Sequence, residues 1–247
     1  MSGPPVVLVT GGTSGIGLGL AAAWHARGAT VIVAGRSDDR LAAAAAPYPG
    51  METQRLDVAD AASVAACAAR VAERHGGLDL LVNNAGVQQL LDFAGETPPT
   101  PEAVAHEVAV NLTGLIQVTA AFLPLLRRRE GARLVHVGSG LAYAPLAAAP
   151  VYSATKAAVH AFTVALRVQL AGTGVAVIEI IPPIVETGLH RGQSRRPPRA
   201  MPLDAFVAAA MAGLDSGRAE IPVGLARVLR IGARVAPGLF LRLVNRA

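Results

Sequence analysis

The sequence predicts a single-domain α/β fold: a doubly wound parallel sheet of about seven strands with helices on both faces. Three observations predict it. Short apolar runs alternate with alanine-rich helical stretches almost to the end of the chain, the pattern of successive βαβ units. A glycine-rich turn joins the first apolar run to the first helical stretch, as the first βα unit of such a sheet requires. The 247 residues are 52% hydrophobic and 16% charged, enough to bury one large core and too apolar for disorder.

The strands expected in order are PVVLVT, TVIVAGR, METQRL, LDLLVNN, ARLVHVG, VAVIEI and EIPV. Most are rich in valine, leucine and isoleucine without polar alternation, as strands covered on both faces read. Helices are expected over 15–28, 38–46, 60–75, 100–127, 150–171 and 203–213. Alanine favours them and lets them pack closely. Right-handed crossovers place them on both faces of the sheet. No repeat or linker divides the chain, so 1–247 is read as one domain. The irregular stretch GLHRGQSRRPPRAMP at 188–202 follows the sixth strand and is expected to be a substrate-side loop. The last stretch, LARVLRIGARVAPGLFLRLVNR, alternates apolar residues with arginines and is interrupted by Pro237-Gly238. A membrane-surface helix is one reading of it; cover for a pocket or a subunit interface is the more ordinary one.

Composition narrows the function classes. Cys67 is the only cysteine, so no internal disulfide forms, and no His/Cys cluster has metal-ligand spacing. A reducing cytoplasm is the expected location, and no bound metal is expected. The N-terminus lacks a basic region followed by a long apolar stretch, so it does not read as a signal peptide. No 18 consecutive residues are apolar, so no transmembrane segment is expected. From Thr187 onward ten arginines face three acids, leaving −2 for the first 186 residues of a +5 chain. These arginines are not interleaved with aromatic platforms, so nucleic acid is not an expected partner.

The run Thr10-Gly-Gly-Thr-Ser-Gly-Ile-Gly17 leaves a strand and opens a helix. Gly11, Gly15 and Gly17 let the backbone turn sharply and approach a pyrophosphate, and the helix N-terminus offers free N–H groups and a positive dipole end. Gly11, Thr13, Ser14, Gly15, Ile16 and Gly17 are therefore the candidate phosphate loop of a Rossmann fold. An acid at the tip of the second strand would bind the ribose hydroxyl of NAD, whereas an arginine there accommodates the extra phosphate of NADP. The tip reads Gly35-Arg36: the glycine leaves space, and the guanidinium is a permanently charged fork. NADP(H) is favoured, while Asp38 and Asp39, one or two positions further on, leave NAD(H) open.

The spacing TGxxxGIG resembles the fingerprint of the short-chain dehydrogenase/reductase family, and further motifs of that family follow in order over nearly the whole chain. The resemblance implies that Asp57 and Val58 border the adenine. It also implies that Asn83-Asn-Ala-Gly86, with Asn83, Ala85 and Gly86 as the candidate contacts, lines the middle of the cofactor. Val185 and Thr187 would meet the carboxamide.

Tyr152-Ser-Ala-Thr-Lys156 lies near the start of a long helix, where positions i and i+4 share a face. A phenol is a poor acid–base catalyst at neutral pH, and an ammonium one turn away would favour its phenolate. Ser139 closes the fifth strand and can hydrogen-bond a substrate oxygen. Asn111 matches the fourth member of the family's tetrad, which in relatives helps hold a water leading protons from the lysine to solvent. Tyr152 and Lys156 thus count as both catalytic and cofactor-binding. Lys156 is the sole lysine against 21 arginines, and it stands where the chemistry calls for an ammonium.

Two positions depart from the family pattern. Pro183 stands where relatives usually have glycine, removing an N–H and backbone freedom beside the nicotinamide. Gly138 precedes Ser139 where many relatives carry a second serine. The stretches GLAYAPLAAAPVYSATKAAVHAFTVALRVQL and MPLDAF resemble the DltE-like oxidoreductase branch.

The resemblance implies an NADP(H)-dependent enzyme of ketoreductase or alcohol dehydrogenase type. Its expected partner is a small carbonyl or alcohol substrate, met by Val87, Gln88, Leu141, Tyr143 and the 188–202 loop. Arg191, Arg195, Arg196 and Arg199 on that loop could meet an anionic substrate. Ala154, Ala157, Ala158 and Ala161 allow close helix pairing in a homodimer or homotetramer. The rival reading is a cofactor-binding sensor without turnover; such proteins typically lose tetrad residues, and all four are present here.

Overall fold

The structure, a computed structural model, describes residues 3–190 and 200–246. Seven strands form one sheet: β1 (Val6–Thr10), β2 (Thr30–Gly35), β3 (Glu52–Arg55), β4 (Leu80–Asn83), β5 (Arg133–Val137), β6 (Ala176–Ile181) and β7 (Glu220–Pro222). Their order is β3-β2-β1-β4-β5-β6-β7, and every neighbouring pair is parallel. The chain adopts the expected doubly wound α/β fold. Strand order reverses between β1 and β4, which opens a crevice at their C-terminal ends.

The helices are α1 (Gly15–Ala26), α2 (Asp38–Ala45), α3 (Ala61–His75), α4 (Pro101–Val108), α5 (Gly114–Leu126), α6 (Pro150–Gln169), α7 (Leu203–Asp215), α8 (Leu225–Val235) and α9 (Pro237–Val244). Alternate residues of each strand serve opposite faces. Val7, Val9, Val31 and Val33 pack with Leu20 and Trp24 of α1, Leu41 of α2 and Phe206 of α7. Val6, Leu8, Ile32 and Leu134 pack with Val64 of α3, Phe122 of α5 and Leu166 of α6. Truncating a fully buried phenylalanine such as Phe122 would cost about 3–5 kcal/mol, a large part of a typical domain's stability. Local signals set the helix ends. Asp60 caps α3 by accepting from Ala62 N, and Gly76 ends that helix at φ 69°. Thr100 caps α4, with Pro101 in its first turn.

The single helix expected over 100–127 is interrupted. Ala109–Thr113 forms a π-helical turn between α4 and α5, which turns Asn111 inward to backbone partners described below. Apolar periodicity does not report a π turn, because the residues on both sides still face the core. The run Pro101–Leu126 is long and apolar enough to cross a membrane by length and composition, yet Val118, Phe122, Leu125 and Leu126 are buried in the core.

The C-terminal stretch forms α8 and α9, broken at Ala236 (φ −139°), since the residue before a proline avoids helical geometry. Leu229 of α8 lies where a Cβ on Gly140 would approach to 3.0 Å. Asn245 fastens the far end, accepting from Ala147 N at 2.6 Å and donating to Pro145 O at 3.0 Å. The hairpin thus packs along the segment between Ser139 and Tyr152. At the feet of the 188–202 insert, Met201 N donates to Ile184 O at 2.8 Å and Glu186 N donates to Met201 O at 2.9 Å. Arg191, Arg195, Arg196 and Arg199 lie outside the described residues.

Candidate active site

The glycine-rich loop is shaped by close approach. Gly11 and Gly15 adopt φ 62° and 55°, the region that favours glycine. A Cβ on Gly11 would stand 2.8 Å from Ala85 Cα, and one on Gly17 would overlap the Asn84 amide. Ser14 precedes α1 in extended conformation, and its side chain makes no capping bond. The first-turn N–H groups of α1, at Gly15 and Ile16, are therefore open to an anion. These features fit a pyrophosphate. Thr13 packs against the tip of β2, where a Cβ on Gly35 would be 3.0 Å from its methyl group.

Around that tip, Arg36 is exposed, and Arg40 Nη2 donates to Ser14 Oγ at 3.3 Å. Asp38 is engaged by Arg55 at 3.5 Å in a solvent-exposed pair. Asp57 turns its carboxylate onto Ala59 N at 3.0 Å and takes Ser63 Oγ on its own N–H side at 3.0 Å. Val58 is buried, and its carbonyl accepts from Gln117. The two residues form a fixed ledge at the exit of β3.

The structure brings the four candidate catalytic residues together. Asn111, buried in the π turn, grips Val87 from both sides: Oδ1 accepts from Val87 N and Nδ2 donates to Val87 O, both at 2.8 Å. Its Nδ2 also reaches Thr155 Oγ1 at 3.3 Å, beside Lys156 on α6. Lys156 donates to Val137 O at 2.9 Å, and its Nζ stands 5.6 Å from the Tyr152 ring centroid. A Cβ on Gly86 would be 3.3 Å from Asn111 Oδ1 and 3.9 Å from Lys156 Nζ, so cofactor-side and catalytic groups meet at this glycine. Ser139 Oγ accepts from Leu141 N at 3.1 Å, and its hydroxyl lowers the pKa of the Tyr152 phenol.

Burial dominates the electrostatics here. It pushes the Tyr152 phenol up to about 12; the Ser139 hydrogen bond pulls it back, and the Glu107 charge pushes it further up. Burial also draws Lys156 down to about 8, against the opposing charge of Glu179. The expected lowering depends on the ammonium together with the cationic nicotinamide of the oxidised complex; in the chain by itself burial outweighs it. Tyr152 is an uncharged phenol at neutral pH.

A short chain dehydrogenase family profile matches residues 5–197. The chain belongs to the short-chain dehydrogenases. An uncharacterized oxidoreductase, DltE of Bacillus subtilis, is 40% identical to this dehydrogenase over 218 residues, 87% of this chain and 86% of the relative. A short chain dehydrogenase from Burkholderia cenocepacia, solved in complex with NADP, superposes with TM-score 0.85 at 29% identity, covering 98% of both chains. One from Sphingobium yanoikuyae, in complex with NADPH, gives 0.82 at 28% identity over 95% of this chain and 94% of its own. The dehydrogenase is thus an oxidoreductase of this family that resembles the DltE-like branch.

The remaining candidate residues of the dehydrogenase find these places. Asn83 Nδ2 donates to Thr119 Oγ1 at 2.9 Å inside the core. Its neighbour Asn84 braces the phosphate loop, donating to Thr10 O and Gly11 O at 3.0 and 3.2 Å. Val185 is buried among core side chains, while Thr187 Cβ would stand 3.1 Å from a Cβ on Gly15. Tyr143 turns its hydroxyl to His160 Nδ1 at 3.3 Å. Glu107 escaped the sequence reading: it is fully buried and accepts from Gln89 N at 3.0 Å, bracing the segment that Asn111 holds. No spacing signal marks it, because one glutamate on an amphipathic helix reads as solvated surface.

Proposed function

We propose that the dehydrogenase is an NADP(H)-dependent enzyme of ketoreductase or alcohol dehydrogenase type. It moves a hydride between the nicotinamide and a carbonyl or secondary alcohol of a mostly apolar small molecule. One observation carries this reading: a buried phenol, Tyr152, beside buried Ser139, with the chain's sole ammonium side chain one helical turn away, its Nζ 5.6 Å from the phenol ring centroid. When bound, the nicotinamide supplies or accepts the hydride. Tyr152 donates its proton to the carbonyl oxygen during reduction, and the phenolate takes it back from the alcohol during oxidation. The Ser139 hydroxyl orients that oxygen, and Lys156 stabilises the phenolate electrostatically.

Gly11, Thr13, Ser14, Gly15, Ile16 and Gly17 would cradle the pyrophosphate, with Asp57, Val58, Ala85, Gly86 and Thr187 along the remaining path. The NADP and NADPH complexes of the two solved relatives support the phosphorylated cofactor. So do exposed Arg36, Arg40 at Ser14 and the engagement of Asp38 by Arg55. Ala154, Ala157 and Ala161 present an exposed small-residue face on α6, and we assign it to helix pairing in a homodimer or homotetramer, to be checked by light scattering.

The decisive assay follows absorbance in the reduced-nicotinamide band while diketones, cyclic ketones and aldehydes are screened with NADPH and NADH. NADPH consumption with an apolar ketone is the expected result. Tight NADPH binding without turnover on any carbonyl class would favour a sensor instead.

A further inference from the structure

Glu179 is fully buried in the middle of β6, and neither the fold nor the reaction described so far uses it. A buried carboxylate is costly unless paired. Its Oε2 lies 2.7 Å from His160 Nδ1 on α6, but its Oε1 has no hydrogen-bond partner among the described residues. That oxygen fills the space a side chain at residue 138 would occupy: a Cβ on Gly138 would overlap it. Gly138 directly follows Val137, whose carbonyl holds the Lys156 ammonium. Lys156 in turn lies one turn before His160 on the same face of α6, and the Glu179 charge raises the pKa of both.

We propose that Glu179 is a positioning residue of the Tyr152–Lys156 centre, its carboxylate admitted by Gly138 to supply the negative charge against which Lys156 stays an ammonium. The proposal rests on reading Lys156 as part of the reacting centre. The surrounding charges leave Glu179 to that task. Its register partner on β5, His136, is held neutral, burial drawing it down to about 3. Its register partner on β7, Glu220, is matched separately by Arg167 of α6 and Arg230 of α8. Arg234 of α8 acts on His160 and lowers it, whereas the Glu179 hydrogen bond raises it. Tyr143 is uncharged at neutral pH, pushed up to about 12 by burial. Lys156 and His160 remain as the basic groups whose pKa Glu179 raises, in the lysine against its burial.

The test uses the single lysine. Protein grown with lysine labelled with carbon-13 at Cε gives one lysine resonance, whose shift titrates with the Lys156 ammonium. Wild type should titrate near 8, and Glu179→Gln, which keeps size and a hydrogen-bonding oxygen, should titrate about one pH unit or more lower. A Glu179→Gln resonance titrating with wild type, or above it, overturns the proposal. If that variant fails to fold, Glu179→Asp decides: withdrawing the carboxylate by one methylene should lower the titration, and an unmoved or raised titration overturns the proposal. In an active enzyme the alkaline fall of kcat/KM should move down with the resonance in Glu179→Gln. Turnover with an unmoved resonance defeats this proposal and leaves the functional reading standing; a moved resonance in a protein without turnover does the reverse.

Discussion

Gly138 and Glu179 share one space: the volume a Cβ would need on the glycine is taken by Oε1 of the glutamate. Gly138 has no positive φ, so room, and not backbone freedom, is what this position requires of it. Gly138→Ser, the residue many relatives carry, should therefore cost about 1–3 kcal/mol through overpacking against a buried charge. Glu179→Ala should be destabilising on its own, since it leaves a cavity and takes the hydrogen-bond partner from His160 Nδ1. Combined, the two changes should cost less than their sum, because each removes the other's clash. Urea unfolding of the four proteins gives the coupling, and strict additivity would show that the two residues are independent.

Tyr152→Phe removes the phenolic oxygen and leaves the ring buried at the end of the crevice. The variant should fold and bind NADPH like wild type, with turnover down about 10²–10⁴-fold. Intrinsic fluorescence and cofactor titration check the first point, and steady-state assays the second. Retention of more than about a tenth of the activity would assign proton transfer to another group.

At the tip of β2, Arg36 is free in solvent, whereas Arg40 is already anchored at the phosphate loop through Ser14. Arg36→Ala should weaken NADPH binding by about tenfold or more, as loss of a charge-assisted contact does, and barely change NADH binding. Arg40→Ala should weaken NADPH by a smaller factor. Isothermal titration with both cofactors separates the effects. Tighter binding of NADH than NADPH by the unmodified protein would reverse the cofactor assignment.

The sequence carried the parts of this molecule that depend on periodicity and order. The seven strands appear where they were expected, five of them in valine-, leucine- or isoleucine-rich runs, because a strand buried on both faces has little choice of residue, and the edge strands β3 and β7 in more polar ones. Asn111, Ser139, Tyr152 and Lys156 could be named in advance because motif order along the chain fixes them relative to known strand ends. Side-chain direction was not legible. Asn83 and Asn84 are identical letters, yet one bonds Thr119 in the core and the other braces the phosphate loop, a difference set by strand alternation at the end of β4. Glu107 and Glu179 were hidden for another reason. Nothing local distinguishes a buried glutamate, and their partners Gln89 and His160 lie 18 and 19 residues away. The π turn at Asn111 likewise follows from a contact with Val87, 24 residues distant.

His136 predicts how stability responds to acid. Burial is the main cause of its low pKa, and the Lys156 and Arg167 charges add to it; the value falls from an ordinary 6.5 to about 3 on folding. The unfolded chain therefore binds a proton below 6.5 that the folded chain refuses, so stability falls as pH drops below that point. The slope is about 1.4 kcal/mol per pH unit, a loss of about 2 kcal/mol between pH 6.5 and 5. His160 does not blur this window, because its raised pKa leaves its contribution fully present below 6.5. His136→Phe should flatten the slope, read from urea midpoints at several pH values. An equal acid loss in that variant would place the sensitivity elsewhere.

Lys156 offers a chemical test that needs no mutation. As the only lysine, it and the N-terminal amine are the only primary amines in the chain. Its pKa, drawn down to about 8 by burial, leaves an appreciable fraction of neutral, nucleophilic amine at pH 8, far more than an ordinary lysine with a pKa near 10.4. Its low exposure, 5%, opposes this by limiting access, so labelling by pyridoxal phosphate and borohydride should be slow but rise steeply between pH 7 and 8.5. Modification at Lys156 should abolish turnover one-for-one, because it blocks the hydrogen that now goes to Val137 O and crowds the phenol. Saturating NADPH should slow labelling at Lys156 and leave the N-terminal amine unaffected, and mass spectrometry tells the two products apart. Equal labelling of Lys156 with and without NADPH, with activity surviving, would mean that the ammonium stands outside the reacting centre. The phosphate loop would then be the one part of the site left with a role.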